Sequence, residues 1–322
     1  MKTQEEIYQY YGTHLKGALA ELEEKRKALA KKIILSMAIG IGACIFIAII
    51  LGPAIIFLFP FAVIIVLLIA FLIGRSDLGK TYALEFKTRI IQEIIRFIDP
   101  GLIYSNKSYI AEPVFMLSDI FKTHPDRYGG DDLVRGAIGE TGIEFCELHA
   151  EYKTETTDSH GHRRTEWHTI FKGLFIMANF NKNFNGKTIV LPDVAERFFG
   201  GFGKMLQGWN MARPELIKLE DPEFEQLFAV YGTDQVEARY ILSTSLMERI
   251  TNFKKKTGKK ISLSFVGSKI FIAIPYAENL FEPRLFRTII DFEPIKKYFD
   301  DLQLAMGVVE DLNLNTRIWN KQ

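Results

Sequence analysis

The chain has 322 residues, 48% of them hydrophobic, and carries 40 Lys and Arg against 39 Asp and Glu, a formal net charge of +1. A chain this evenly charged lacks the domain-wide basic bias on which nucleic-acid binding rests, so no nucleic-acid partner is expected. Two cysteines, Cys44 and Cys146, exclude a disulfide scaffold and agree with a reducing compartment.

Residues 1–32 read as an amphipathic cytosolic helix, with Leu15, Leu19, Leu22 and Leu29 at helical spacing and the charged run Glu21 to Lys27 on the other faces. Gly12 and Gly17 weaken it near its start. From Ile33 to Ile73 there is no charged residue. As one helix that run would be about 60 Å long, twice the ~30 Å hydrocarbon layer, so it is expected to fold back as a two-helix transmembrane hairpin over 33–73. Gly52 and Pro53 mark the turn, because Gly tolerates a reversal and Pro ends a helix. Lys25, Arg26, Lys27, Lys31 and Lys32 precede the run, and Arg75, Lys80, Lys87 and Arg89 follow it. Positive flanks stay inside, which places both termini in the cytoplasm of a multi-pass membrane protein.

Residues 74–100 form a connecting helix, capped by Ser76 or Asp77, carrying Phe86, Ile90, Ile94 and Phe97 on one stripe, and ended by Pro100-Gly101. Residues 101–322 read as a cytosolic α+β domain with a mainly antiparallel sheet and flanking helices, because hairpin turns outnumber strand-helix-strand alternations. His124-Pro125 and Gly129-Gly130 mark a loop. Ile143 and Phe145 alternate in one phase while Cys146, Leu148, Ala150 and Tyr152 follow the other, which predicts a bulge near Phe145-Cys146. Lys153 to Glu166 is a polar hairpin loop returning through the strand from Trp167 to Phe180. Asn185-Gly186 turns into a strand from Lys187 to Leu191, and a short helix from Asp193 to Phe199 stops at Gly200-Gly201. Strands are expected at Leu216 to Leu219 and Gln226 to Tyr231. Asp234 and Glu237 then open one helix with the stripe Leu242, Leu246, Ile250 and Phe253, ended by Gly258. A hairpin over Ile261 to Ile274 and a helix from Phe292 to Leu312 complete the chain.

Chemical motifs are sparse. Gly200-Gly201-Phe202-Gly203-Lys204 has Phe198 and Met205 where a phosphate loop needs Gly and Ser or Thr, so it reads as helix-ending glycines. His149, His160, His162 and His168 have no metal-site spacing, and the Asp131-Asp132 and Asp300-Asp301 pairs read as solvated carboxylates. No catalytic residue, cofactor site or metal site is assigned. Lys254, Lys255, Lys256, Lys259 and Lys260 sit at a helix C-terminus, where they oppose the dipole or touch an anionic membrane surface. Arg239 and Arg249 hold structural ion pairs or recognise an acidic partner.

The stretches Glu237 to Leu242, Met247 to Arg249, Phe171 to Phe175, Ser264 to Lys269 and Asn279 to Pro283 resemble a bacterial family of two-span membrane proteins with a cytosolic α+β domain, catalogued only as a domain of unknown function. That family's pattern has Pro at the position of Thr244, which puts helix continuity there in question. The resemblance implies an address and a fold and carries over no catalytic residue. The expectation is a membrane-anchored binding or scaffold protein whose partners are the lipid bilayer and a protein partner or second copy. A membrane-surface enzyme and a channel or transporter subunit are the alternatives. Lack of any intramembrane ionisable residue counts against the last.

Overall fold

A computed structural model of the chain describes residues 2–51, 64, 66, 77–157, 163–180, 183–192, 214–312 and 314. The chain divides into a helical unit, residues 2–98 and 281–299, and a sheet unit made of most of the remainder.

The helical unit starts at Thr3, whose hydroxyl accepts from the Glu6 amide while the Glu6 carboxylate accepts from the Thr3 amide, a reciprocal capping box. Helix α1 (Gln4–Tyr10) runs through a π turn at Tyr11–Leu15 into α2 (Lys16–Leu51). The predicted stripe is buried: Leu15, Leu19, Leu22 and Leu29 all lie in the core. Neither Gly12 nor Gly17 faces a close neighbour, so these glycines serve no tight packing. Helix α3 (Asp77–Phe86) leads through a second π turn, Lys87–Ile91, into α4 (Gln92–Ile98). Phe86, Ile90 and Ile94 are buried as the spacing requires. The Glu23 carboxylate accepts from Arg26 Nε and Nη2 at 2.8 and 2.7 Å and from the Ile289 amide at 3.2 Å, while Arg26 Nη1 donates to the Leu285 carbonyl at 2.7 Å. This network ties α2 to the 285–289 segment. Lys87, in the second π turn, is buried against Glu282 at 2.7 Å.

Within the charge-free run, Ile34, Leu35, Ile39, Ile41, Ile45 and Phe46 are exposed. A Cβ on Gly40 would lie 2.6 Å from Val66 Cγ2, so a glycine stands where the two halves of the run touch. Among the described residues no helix is long and apolar enough to cross a membrane. The last described side chain of α2 is Phe46, which leaves fewer residues after Ile33 than the ~20 a span takes. The turn residues Gly52 and Pro53 and nearly all of the expected second span lie outside the described residues.

The sheet unit is α+β, as expected, and its nine described strands form one antiparallel sheet: β1 (Ile103–Ser105), β2 (Arg127–Ile138), β3 (Thr141–Thr157), β4 (Arg163–Asn179), β5 (Lys187–Pro192), β6 (Glu215–Ile217), β7 (Phe228–Gly232), β8 (Ser262–Val266) and β9 (Lys269–Pro275). Their order is β1-β2-β3-β4-β9-β8-β5-β7-β6. One face is closed by residues 110–121, which include helix α5 (Glu112–Leu117). Phe115 packs there on Phe121 and Phe175 with ring centroids 4.9 and 5.3 Å away, above Cys146, Leu148 and Phe271. Side chains of the opposite phase, Ile143, Phe145, Ile176 and Ile272, are equally buried, so the centre of the sheet is covered on both faces.

That double coverage corrects the predicted bulge. β3 is regular through Phe145-Cys146, and its apparent phase change arises because both phases are apolar when both faces are buried. The irregularity sits on the neighbouring strand: Asp131 pairs with Glu147 and Val134 with Phe145, so Asp132 and Leu133 together oppose Cys146. Gly129-Gly130 also lies in strand β2, not in a loop; a Cβ on Gly130 would lie 2.2 Å from the Glu147 carbonyl, a close approach only glycine allows. The predicted 153–166 loop is mostly strand, since β3 continues to Thr157 and β4 begins at Arg163, paired by Thr157↔Arg163. A two-stranded ribbon exposed on both sides has no apolar alternation to reveal it.

Helix α6 (Pro222–Leu227) replaces the start of the predicted strand at Gln226 because Asp221 caps the Glu223 and Phe224 amides and Pro222 occupies the first turn. The helix expected after Asp234 is two: α7 (Gln235–Ile241) and α8 (Thr244–Thr257), separated where Leu242 and Ser243 leave helical geometry. Gly258 ends α8 in the left-handed conformation at φ 64°. The last described element is α9 (Phe292–Asp311). The helix expected at Asp193 to Phe199 and the glycines after it lie outside the described residues.

Candidate functional site

Strand register assembles an open groove at one end of the sheet. Arg135 on β2 is directly opposite Glu144 on β3, Glu144 is opposite Met177 on β4, and Asn179 is opposite Lys269 on β9. The period of two then places these side chains on the same face as Phe175 and Phe271, beyond the area that the 110–121 segment covers. With Ile103 from the edge strand β1 they line a groove of about 330 Å³. Gly142 leaves the groove open, since a Cβ there would lie 2.8 Å from Asn179 Nδ2. Lys269 Nζ donates to Asn179 Oδ1 at 2.6 Å, which fixes the amide. Among the described residues neither the Arg135 nor the Glu144 side chain makes a hydrogen bond or ion pair, although they face each other across adjacent strands.

A second cluster forms at the β2 bulge. Carboxylate oxygens of Asp131, Asp132 and Glu147 lie within 4.8 Å of one another, a donor set of the hard-oxygen kind that suits Mg²⁺ or Ca²⁺. Asp132 and Glu147 are 1% and 6% exposed, which corrects the reading of Asp131-Asp132 as solvated. Both are held by protein donors: the Tyr104 hydroxyl donates to Asp132, and the Leu280 amide donates to Glu147 Oε2 at 2.8 Å. Asp132 adopts φ 59°, the left-handed conformation in which Asp is tolerated better than most residues. The bulge thus turns Asp132 inward, where regular pairing would not. The sequence signal for this cluster is Glu147, an acid between Cys146 and Leu148 in a strand buried on both faces. Asp301 is likewise buried, accepting from the Tyr276 hydroxyl at 2.9 Å, and is not a solvated carboxylate.

The five lysines singled out by sequence do not converge. Lys254 Nζ caps the Lys259 carbonyl at 2.6 Å, Lys255 pairs with Glu223, Lys256 pairs with Asp311 at 2.9 Å, and Lys259 Nζ stands 3.9 Å from the centre of the Tyr276 ring. Lys260 follows directly in the same segment. Arg239 and Arg249 are on different helices; Arg239 is exposed and donates to the Lys218 carbonyl at 3.3 Å, and Arg249 is half-buried. Glu237 does not close a capping box. Asp234 caps the Val236 and Glu237 amides, while the Glu237 carboxylate accepts from the Asn185 and Gly186 amides at 2.8 and 2.7 Å and so fixes the turn into β5. His168 stacks on Tyr152 and shares a hydrogen bond with Thr154, and His149 lies 3.7 Å from Glu151; His160 and His162 are outside the described residues. Burial pushes the Cys146 thiol up to about 12, against a weak opposing hydrogen bond from the Ile110 amide, so it is no nucleophile near neutrality.

With this geometry in hand, similarity to known proteins is limited. Residues 169–314 match the family model of a protein of unknown function, DUF3137. The match starts in β4 and ends just beyond α9, less than half the chain, and includes Met177, Asn179 and Lys269 of the groove but not Arg135 or Glu144. It meets the unknown-function part of the resemblance and says nothing about membrane spans, since the 33–73 run lies outside it. No curated protein matches the chain. Among solved structures, the crystal structure of the mycobacterial trehalose monomycolate transport factor A, TtfA, is similar at 10% identity and a TM-score of 0.34, over 67% of this chain and 94% of that one. A likeness at that level carries no argument about fold or function.

Proposed function

We propose that the chain is a membrane-anchored binding or scaffold protein, held in a bacterial inner membrane by the 33–73 run with both termini and the sheet unit in the cytoplasm. The observation that carries this reading is the set of exposed apolar side chains Ile34, Leu35, Ile39, Ile41, Ile45 and Phe46 on the part of α2 from Ile33 on, which holds no charged residue. Contiguous exposed apolar surface costs free energy in water at roughly 25 cal/mol per Å², whereas in hydrocarbon it costs nothing. The Gly40 contact with Val66 supports a fold-back, because small residues let apolar helices approach closely. Lys255 and Lys256 keep 55% and 62% of their side-chain surface exposed despite their partners and remain accessible to anionic headgroups. The groove of Arg135, Glu144, Asn179 and Lys269 supplies the binding surface.

The test is fractionation of the full chain, with carbonate washing, and reporter fusions at Met1 and Gln322. Retention in the washed membrane pellet and a cytoplasmic signal from both fusions are expected. Release by carbonate, or an external signal from either terminus, refutes the anchor.

A further inference from the structure

The groove holds two opposite charges that neither satisfy one another nor find other partners among the described residues. Arg135 and Glu144 stand one strand spacing apart, about 4.8 Å, flanked by Ile103 on the Arg135 side and by Met177 on the Glu144 side, with a fixed amide at Asn179. A simple anion placed on the guanidinium is repelled by the neighbouring carboxylate, and a simple cation on the carboxylate is repelled by the guanidinium. A ligand carrying both charges a few ångströms apart satisfies each.

We propose that the groove binds a small zwitterion with an apolar side group, of the class of a free apolar α-amino acid, with its carboxylate on Arg135, its ammonium on Glu144 and its side group over Met177, the next residue in the same row. The guanidinium fork matches a carboxylate in two parallel hydrogen bonds. A volume of about 330 Å³ is at the small end for a ligand site, which suits a molecule of this size and excludes a large cofactor. Gly142 keeps the floor low enough for the side group, and the Lys269 contact holds the Asn179 amide at the rim. The inference rests on reading the sheet unit as a binding module, and it adds what is bound.

The experiment is calorimetric titration of the full chain in detergent with L-phenylalanine, with L-phenylalaninamide, which lacks the carboxylate, and with N-acetyl-L-phenylalanine, which lacks the ammonium. Saturable binding of phenylalanine is expected, weakened about tenfold or more for each derivative and for each of Arg135→Met and Glu144→Gln. The double exchange Arg135→Glu with Glu144→Arg keeps both poles and is expected to bind phenylalanine within a few-fold of the parent. It also shows whether the single losses come from missing charge or from disturbed folding. No saturable binding, equal binding of either derivative, or insensitivity to both single substitutions overturns the proposal. Membrane retention is read by fractionation alone, so failure of the anchor and failure of the ligand assignment are told apart.

Discussion

Replacing Glu23 with Ala tests how the helical unit is held together. In the parent, the Glu23 side chain is 3% exposed and its carboxylate satisfies two Arg26 nitrogens and the amide of Ile289, itself 1% exposed. Ala leaves a guanidinium at 12% exposure without its counter-ion and a buried amide without its acceptor. Breaking a buried pair from one side costs about 3–5 kcal/mol, and the orphaned amide about 1–3 kcal/mol. These overlap, and Arg26 keeps its bond to the Leu285 carbonyl, so about 3–4 kcal/mol is expected for the pair of effects together. Native-state hydrogen exchange reads this locally: amides over 281–290 should exchange roughly two to three orders of magnitude faster in the variant. Glu23→Ala with Arg26→Met removes the uncompensated charge and should recover part of the loss. The hydrogen bond from Arg26 holds the Glu23 carboxyl below its usual 4.5, with burial opposing. Its contribution is therefore complete above pH 4.5 and is lost as pH falls through the lower folded value. Protection of 281–290 should fade in that window in the parent and show no such step in the variant. Exchange that changes less than about threefold at neutral pH, or a double variant as damaged as the single, refutes the network as the clasp.

Tyr82 is buried and its hydroxyl has no hydrogen-bond partner among the described residues, so Tyr82→Phe removes a desolvated polar atom and should leave thermal stability unchanged or raise it by up to about 1 kcal/mol; a loss above that value by thermal melting counts against this. Gly173 lies at φ 147° with a virtual Cβ 2.3 Å from the Ile274 carbonyl, so Gly173→Ala should cost at least about 2 kcal/mol by separating β4 from β9, and a melting curve like the parent's would contradict it. Cys146, fully buried with its thiol raised to about 12, should resist iodoacetamide at pH 8 in folded protein and react once denatured, read by intact-mass spectrometry; rapid labelling of native protein would refute its burial.

Periodicity and punctuation alone determined much of this protein. The leucines from Leu15 to Leu29 and the stripe Phe86, Ile90, Ile94 needed only a 3.6-residue period to place them in the helical core. Gly258, the 261–274 hairpin and the antiparallel character of the sheet followed from local turn and cap chemistry. Tertiary structure decided what depends on a neighbour. Whether Glu147 and Asp132 are buried is set by a bulge on one strand opposite Cys146 on another, and the sequence of either strand is silent about the pairing. The same holds for the groove: Arg135, Glu144, Asn179 and Lys269 come from four strands, and none lies in a recognisable motif. They share a face because antiparallel register is a property of paired strands, fixed by the packing of the whole sheet rather than by any one segment of it.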